Sequence, residues 1–140
     1  MIEEVLLFQI DKTSKIAKQY SQREFDRLGL NVTVEQWILL KIIHESNRIS
    51  QKELSEKSLR DPASITRTLD ILQKKDLINR LPIPENRRQY NINLSKKGEA
   101  FVQTNMSIVH AHRKKSIEGL SKKDQQTLNI LLKRIQENMS

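Results

Sequence analysis

The chain has no cysteine among its 140 residues. That excludes disulfides, thiolate nucleophiles and thiol-based redox sensing. Glycine and proline number three each. So few leave no phosphate-cradling glycine-rich loop, and the shortage favours helices joined by short turns. Aromatic residues are scarce (three Phe, two Tyr, one Trp), so Ile, Leu and Val must supply most of the core. Apolar runs are short as well. Trp37-Ile38-Leu39-Leu40 is as long as any, far below the ~20 residues of a membrane-spanning helix. The acidic start, Met1-Ile2-Glu3-Glu4, has no signal-peptide n-region. A soluble cytoplasmic protein with no membrane role is the expectation.

Positive charge, by contrast, is plentiful. The net charge is +8. Between Arg48 and Gly98 there are 12 Lys/Arg against 6 Asp/Glu, which places +6 of that excess in the middle third. A basic chain suits a polyanionic partner, and localisation of the charge favours nucleic acid over mere solubility.

The most informative stretch runs from Asp61 to Lys75. Asp61 can cap the first free backbone N–H groups of a helix, and Pro62 fits the first helical position. Ile65, Leu69 and Leu72 fall at i, i+4, i+7, a narrow apolar stripe. At about 100° per residue, Ala63, Thr66, Arg67 and Asp70 point away from it. That outward face is small and polar, slim enough for a DNA major groove. Alone it could equally be a solvated surface helix. Its surroundings decide between the two.

Upstream, Ser50 and Glu53 form a capping-box pattern that opens a short helix over 51–58, anchored by Leu54. Leu59 and Arg60 then turn the chain into Asp61. Two short helices joined by such a turn make a helix-turn-helix. Gln51 and Lys52 stand at the start of the first helix, where free N–H groups and positive charge suit a phosphate. Downstream, residues 77–83 read as a strand, 84–89 as a loop carrying Arg87 and Arg88, and 90–94 as a second strand by strict alternation. Strand, basic loop and strand make a wing. Pro82 in the first strand puts that strand at an edge.

Long helical patterns flank this centre. Residues 2–28 form one, with Gly29 as its stop. A second starts at Thr33, which with Gln36 makes a capping box, and runs through Trp37, Leu40 and Ile43 to about Ser46. Ser95 opens a helix over 96 to about 118, and Ser121 with Asp124 opens the last. The expected fold class is mainly α with a small β wing. Residues 33–95 form a winged helix-turn-helix, and residues 1–32 with 96–140 form a helical dimerisation region.

Catalysis finds no support in the pattern. There is no nucleophile–base pairing at a marked spacing, so the chain reads as no enzyme. His110 and His112 are two residues apart and face different directions on a helix, so they cannot chelate as an i, i+4 pair would. No metal and no cofactor are expected.

Two segments carry a resemblance: Asp-Pro-Ala-Ser-Ile-Thr-Arg-Thr-Leu-Asp (61–70) and Asn-Arg-Arg-Gln-Tyr-Asn-Ile-Asn-Leu-Ser-Lys-Lys-Gly (86–98). With the order of the parts, they resemble the MarR family of bacterial transcription regulators along essentially the whole chain. The resemblance implies a homodimer held by its N- and C-terminal helices, binding double-stranded DNA at a pseudo-palindromic operator. It also implies a repressor released by a small-molecule effector. By position, Arg88 is the wing-tip residue for the minor groove, with Arg87 beside it on the phosphates. Asn86 departs from the family's usual Asp, Asp76 from its Gly, and Ile71 from a polar or basic residue.

The candidate DNA-binding residues are therefore Gln51, Lys52, Ala63, Ser64, Thr66, Arg67, Arg87 and Arg88. Tyr20, Trp37 and His44 mix apolar surface with polar tips. They are candidate walls of an effector pocket, or else core and rim residues. Two other readings stay open: a non-specific architectural DNA-binding protein, and an adaptor that uses the winged helix to bind other proteins.

Overall fold

The structure, a computed structural model, describes the backbone of residues 1–140 and every side chain except that of Arg87. Its elements follow in the order α1 (Leu6–Arg27), α2 (Val34–Ser46), β1 (Ile49–Ser50), α3 (Gln51–Ser58), α4 (Pro62–Lys74), β2 (Ile78–Ile83), β3 (Asn86–Leu94), α5 (Lys96–Ser116) and α6 (Lys122–Met139). The mainly helical fold with a small β wing is as the sequence reads. The chain forms two compact units, Met1–Ser107 and Ile108–Ser140.

In the first unit, local chemistry sets the helix ends. The Thr33 hydroxyl accepts from the Gln36 N–H at 3.1 Å while the Gln36 amide accepts from the Thr33 N–H at 3.1 Å, a complete capping box. Gly29, at φ +69°, ends α1, and the Leu30 N–H reaches back to the Phe25 carbonyl. At the end of α4 this left-handed position is taken by Asp76, at φ +61°. The Asp76 carbonyl accepts from the Ser95 hydroxyl at 2.6 Å.

The expected single helix over 2–28 is broken. Ile2–Glu4 is a separate 3₁₀ turn, and Val5 between the two is extended. Neither side of Val5 carries a capping side chain that the sequence could have announced.

The core lies where α2, α3 and α4 meet the sheet. Leu39, Leu40, Ile43, Leu54, Ile65, Leu69, Leu72 and Ile92 have no exposed surface. Strand order is β1-β3-β2, all antiparallel. β2 is thus an edge strand, which accommodates Pro82. Ile49, which reads in sequence as a lone apolar residue, pairs with Ile92 and makes β1. The wing differs from the expected loop over 84–89. β3 already begins at Asn86, which leaves only Pro84 and Glu85 as the turn. The ladder jumps from Pro82–Tyr90 to Ile83–Asn86, so residues 87–89 bulge from it.

Gly98 is fixed by packing. It lies in the first turn of α5, and a Cβ there would stand 1.9 Å from the Leu77 carbonyl oxygen. In the second unit, Ser121 and Asp124 complete a capping box for α6. Along α6, Leu128, Ile130, Leu131 and Met139 are exposed. No helix of the described residues is long and apolar enough to cross a membrane.

Candidate nucleic-acid interface

Helix α4 is built to present one face. The Asp61 carboxylate accepts from the Ser64 N–H at 3.0 Å, and Pro62 sits in the first turn. Ile65, Leu69 and Leu72 are buried, with Thr68 beside them. Ala63, Thr66, Arg67 and Asp70 are exposed, as the helical spacing predicts. Helix α3 leads in through its own cap, where the Ser50 hydroxyl accepts from the Glu53 N–H. The expected reciprocal box is not closed at that end. The Glu53 carboxylate instead accepts from the Ser50 hydroxyl at 3.0 Å. Leu59, at φ +55°, makes the turn between α3 and α4.

Of the residues proposed from sequence, Gln51, Thr66 and Arg88 come together. They line one concave surface with Gln73, Arg80 and Tyr90. Gln51 Nε2 donates to Thr66 Oγ1 at 2.9 Å, joining the start of α3 to the exposed face of α4. The Thr66 hydroxyl in turn donates to the Pro62 carbonyl. Lys52 and Arg67 are exposed. Among the described residues neither has a hydrogen-bonding or ionic partner, so both charges face solvent. Ser64 is half-buried, and its hydroxyl accepts from the Arg60 guanidinium. Its place is behind the face formed by Thr66 and Arg67. Asn86, where the family's usual acid would stand, uses its Oδ1 to accept from the Arg88 backbone N–H at 3.2 Å. It shapes the wing backbone and leaves the exposed Arg88 guanidinium without an ion pair to a carboxylate at that position. The Arg87 side chain lies outside the described residues.

Arg80 is a member of this surface that the sequence reading passed over. From β2 its Nη1 donates to Asp70 Oδ1 at 2.7 Å and to Gln73 Oε1 at 3.2 Å, and its Nη2 donates to the Thr66 carbonyl at 3.2 Å. It is a strut that fixes the wing against α4. The signal for it was the strand alternation: Arg80 shares the inward face with buried Ile78, where a charge must find partners.

Arg60 is the second such residue. Its Nη1 lies 3.2 Å from Thr68 Oγ1, and its Nη2 lies 3.4 Å from Glu35 Oε2. Glu35 also pairs with Lys18 at 2.8 Å. The hydrogen bond from Lys18, more than any other influence, holds the Glu35 carboxyl below its ordinary value. The nearby charges of Lys18 and Arg60 act in the same sense, and partial burial opposes them.

The three proposed pocket-wall residues occupy different settings. Trp37 is core, at 2 % exposure, packed edge-on against Phe25 at 6.4 Å and tilted against Phe101 at 6.3 Å. His44 Nδ1 lies 2.8 Å from Glu99 Oε1, and Tyr20 is half-buried on α1. A groove beside α1 and the start of α2 is lined by other residues, among them Lys15, Lys18, Gln22 and Val34. His110 is exposed and His112 buried, and the described residues contain no cluster of metal-ligating side chains.

Residues 32–90 match the sequence model of the MarR family. An uncharacterized HTH-type transcriptional regulator of Bacillus subtilis (strain 168), YhbI, is 37% identical over 73 residues, covering 52% of this chain and 47% of that protein. The match thus spans about half the length of that relative. Among solved structures, MarR from E. coli, as a mutant complexed with operator DNA, superposes with a TM-score of 0.83 at 22% identity, covering 96% of this chain and 97% of that one. BpsR of Bordetella bronchiseptica superposes with a TM-score of 0.86 at 15% identity, covering 97% and 96%. These likenesses establish a common fold over nearly the whole chain. The part of the chain that matches the MarR family model, residues 32–90, is its winged helix-turn-helix.

Proposed function

We propose that this protein is a homodimeric, sequence-specific DNA-binding repressor, acting in the cytoplasm and released from a pseudo-palindromic operator by a small-molecule effector. The observation that carries the reading is the concave basic surface where Gln51, Thr66, Gln73, Arg80, Arg88 and Tyr90 meet, flanked by the unpaired cations Lys52 and Arg67. Thr66 and Arg67, with the small Ala63 on the same exposed face of α4, offer a slim face to base edges. Ser64 supports that face from behind. Lys52 and the N-terminus of α3 meet phosphates. Arg88, with Arg87, reaches the minor groove, where groove width and potential attract arginine.

Dimerisation fits the apolar side chains left exposed on a single chain, such as Leu6 and Ile16 on α1 and Leu128 and Leu131 on α6. We assign residues 1–32 and 96–140 to that role and 33–95 to DNA. The operator DNA bound to the E. coli MarR mutant and the 6-hydroxynicotinic acid that regulates DNA binding by BpsR make both partners reasonable for this chain. Tyr20 and His44 are candidate effector contacts, and Trp37 is assigned to the core, packed on Phe25 and Phe101. The test is footprinting on the DNA upstream of the protein's own gene. A protected palindrome, bound about 10³-fold more tightly than unrelated DNA, supports the proposal. Equal protection of all sequences favours an architectural DNA-binding protein.

A further inference from the structure

Resting on the reading above, we propose that Arg60 is a positioning residue for the DNA-reading helix, and that Lys18 and Glu35 hold it in place from α1 and α2. Glu35 uses both carboxylate oxygens, Oε1 toward Lys18 at 2.8 Å and Oε2 toward Arg60 at 3.4 Å. Arg60 then divides its guanidinium between two hydroxyls of α4, Thr68 through Nη1 at 3.2 Å and Ser64 through Nη2. Its backbone is tied to α3, since the Arg60 carbonyl accepts from the Ser55 hydroxyl at 2.6 Å and the Arg60 N–H donates to the Ser55 carbonyl. One residue thus joins α2 and the first two turns of α4 through its side chain, and α3 through its backbone.

The arrangement is chemically specific. Two hydroxyls one helical turn apart meet the planar fork of a guanidinium, which a lysine ammonium cannot span. The Arg60 side chain is only 21% exposed, so its charge needs these partners. Loss of any one leaves a half-buried cation free to re-aim, and the exposed neighbours of Ser64 and Thr68 on α4 are Thr66 and Arg67. The relay therefore sets the angle at which those two meet a groove.

Glu35→Gln gives a test whose sign separates this relay from plain electrostatics. The substitution removes one negative charge, which by itself tightens binding to any DNA. The relay instead requires weaker binding to the preferred duplex, by about fivefold or more, with affinity for an unrelated duplex unchanged or higher. Arg60→Lys keeps the charge and removes the fork, so it should lose the same preference while retaining affinity for the unrelated duplex. The preferred duplex is one selected by the wild-type protein from a random-sequence library, and thermal melting checks that each variant is folded. Hydrogen exchange of the free proteins gives a measure that needs no DNA: amides of residues 64–68 should exchange faster in both variants. If the wild type selects no sequence, the proposed function fails, and hydrogen exchange alone then judges the relay. Unchanged exchange, or a Glu35→Gln variant that binds the selected duplex as tightly as wild type, overturns it.

Discussion

Replacing Arg67 by alanine removes an exposed cation from the outward face of α4, and replacing Arg88 removes one from the wing. The two changes should read differently. Arg67→Ala is expected to cost about 1–3 kcal/mol of preference for the operator if the guanidinium bonds a guanine. Arg88→Ala should weaken binding with little change in preference among major-groove sequences, because the minor groove carries a degenerate pattern. Quantitative competition with single-base operator variants separates them; identical losses on every duplex would contradict the role given to Arg67.

Glu35 makes a further prediction at this scale. Its carboxyl is held low, first by the Lys18 hydrogen bond. A carboxyl whose folded value lies below its unfolded one adds stability at pH above the unfolded value, about 4.3. That contribution is lost as pH falls through the folded value. Glu35→Gln should therefore cost stability near neutrality and flatten the acid limb below about pH 4.3. The Glu35 side chain is 44% exposed, so the effect belongs to the range of exposed pairs, roughly 0.2–1 kcal/mol. Urea melts across pH measure it, and parallel acid limbs for the two proteins would refute it.

Among the elements, the junction of α4, β2 and α5 leaves no room for a side chain on Gly98. The Leu77 carbonyl accepts from the Ser95 N–H at 3.0 Å and lies where a side chain on Gly98 would go. The obstacle is backbone, which cannot swing aside as a flexible side chain would. Gly98→Ala should cost about 1–3 kcal/mol and lower the melting temperature by several degrees, despite alanine's better helix propensity. A rise in melting temperature would show that α5 shifts freely. Helix starts were legible because a cap is local: Thr33, Asp61 and Ser121 each bond an N–H three residues on. The sheet was less so. Ile49 becomes a strand only because Ile92 lies opposite it, a pairing more than 40 residues away in sequence. The bulge at 87–89 likewise depends on how β3 meets β2, so Arg88 stands on a strand where alternation alone suggested a loop.

For the molecule as a whole, two measurements test the assembly. Lys52, Arg67 and Arg88 from two protomers would bring about six cations against the duplex and displace about as many counterions, so the logarithm of affinity should fall with the logarithm of salt at a slope near −5. A flat dependence would remove the charge-based case for DNA. Leu131 is 49% exposed on α6, and a charge there should break an apolar subunit contact. Leu131→Glu is expected to shift sedimentation from dimer toward monomer and to weaken operator binding in parallel, since one protomer reads only half of a palindrome. Sedimentation identical to wild type would place the subunit contact elsewhere.

By itself, the sequence determined the helical class, the capped helix from Asp61, the edge position of the strand with Pro82 and the concentration of charge around them. These follow from short-range rules: a cap, a period, a missing N–H. Tertiary structure alone decided which residues meet. Arg80 and Arg60 read in sequence as ordinary basic residues, yet one braces the wing against α4 and the other ties α2 and α3 to it. Trp37 reads in sequence as either a binding wall or core, and its burial places it in the core. In each case the deciding partner lies on another element, and burial turns an otherwise unremarkable charge or ring into one that must be matched.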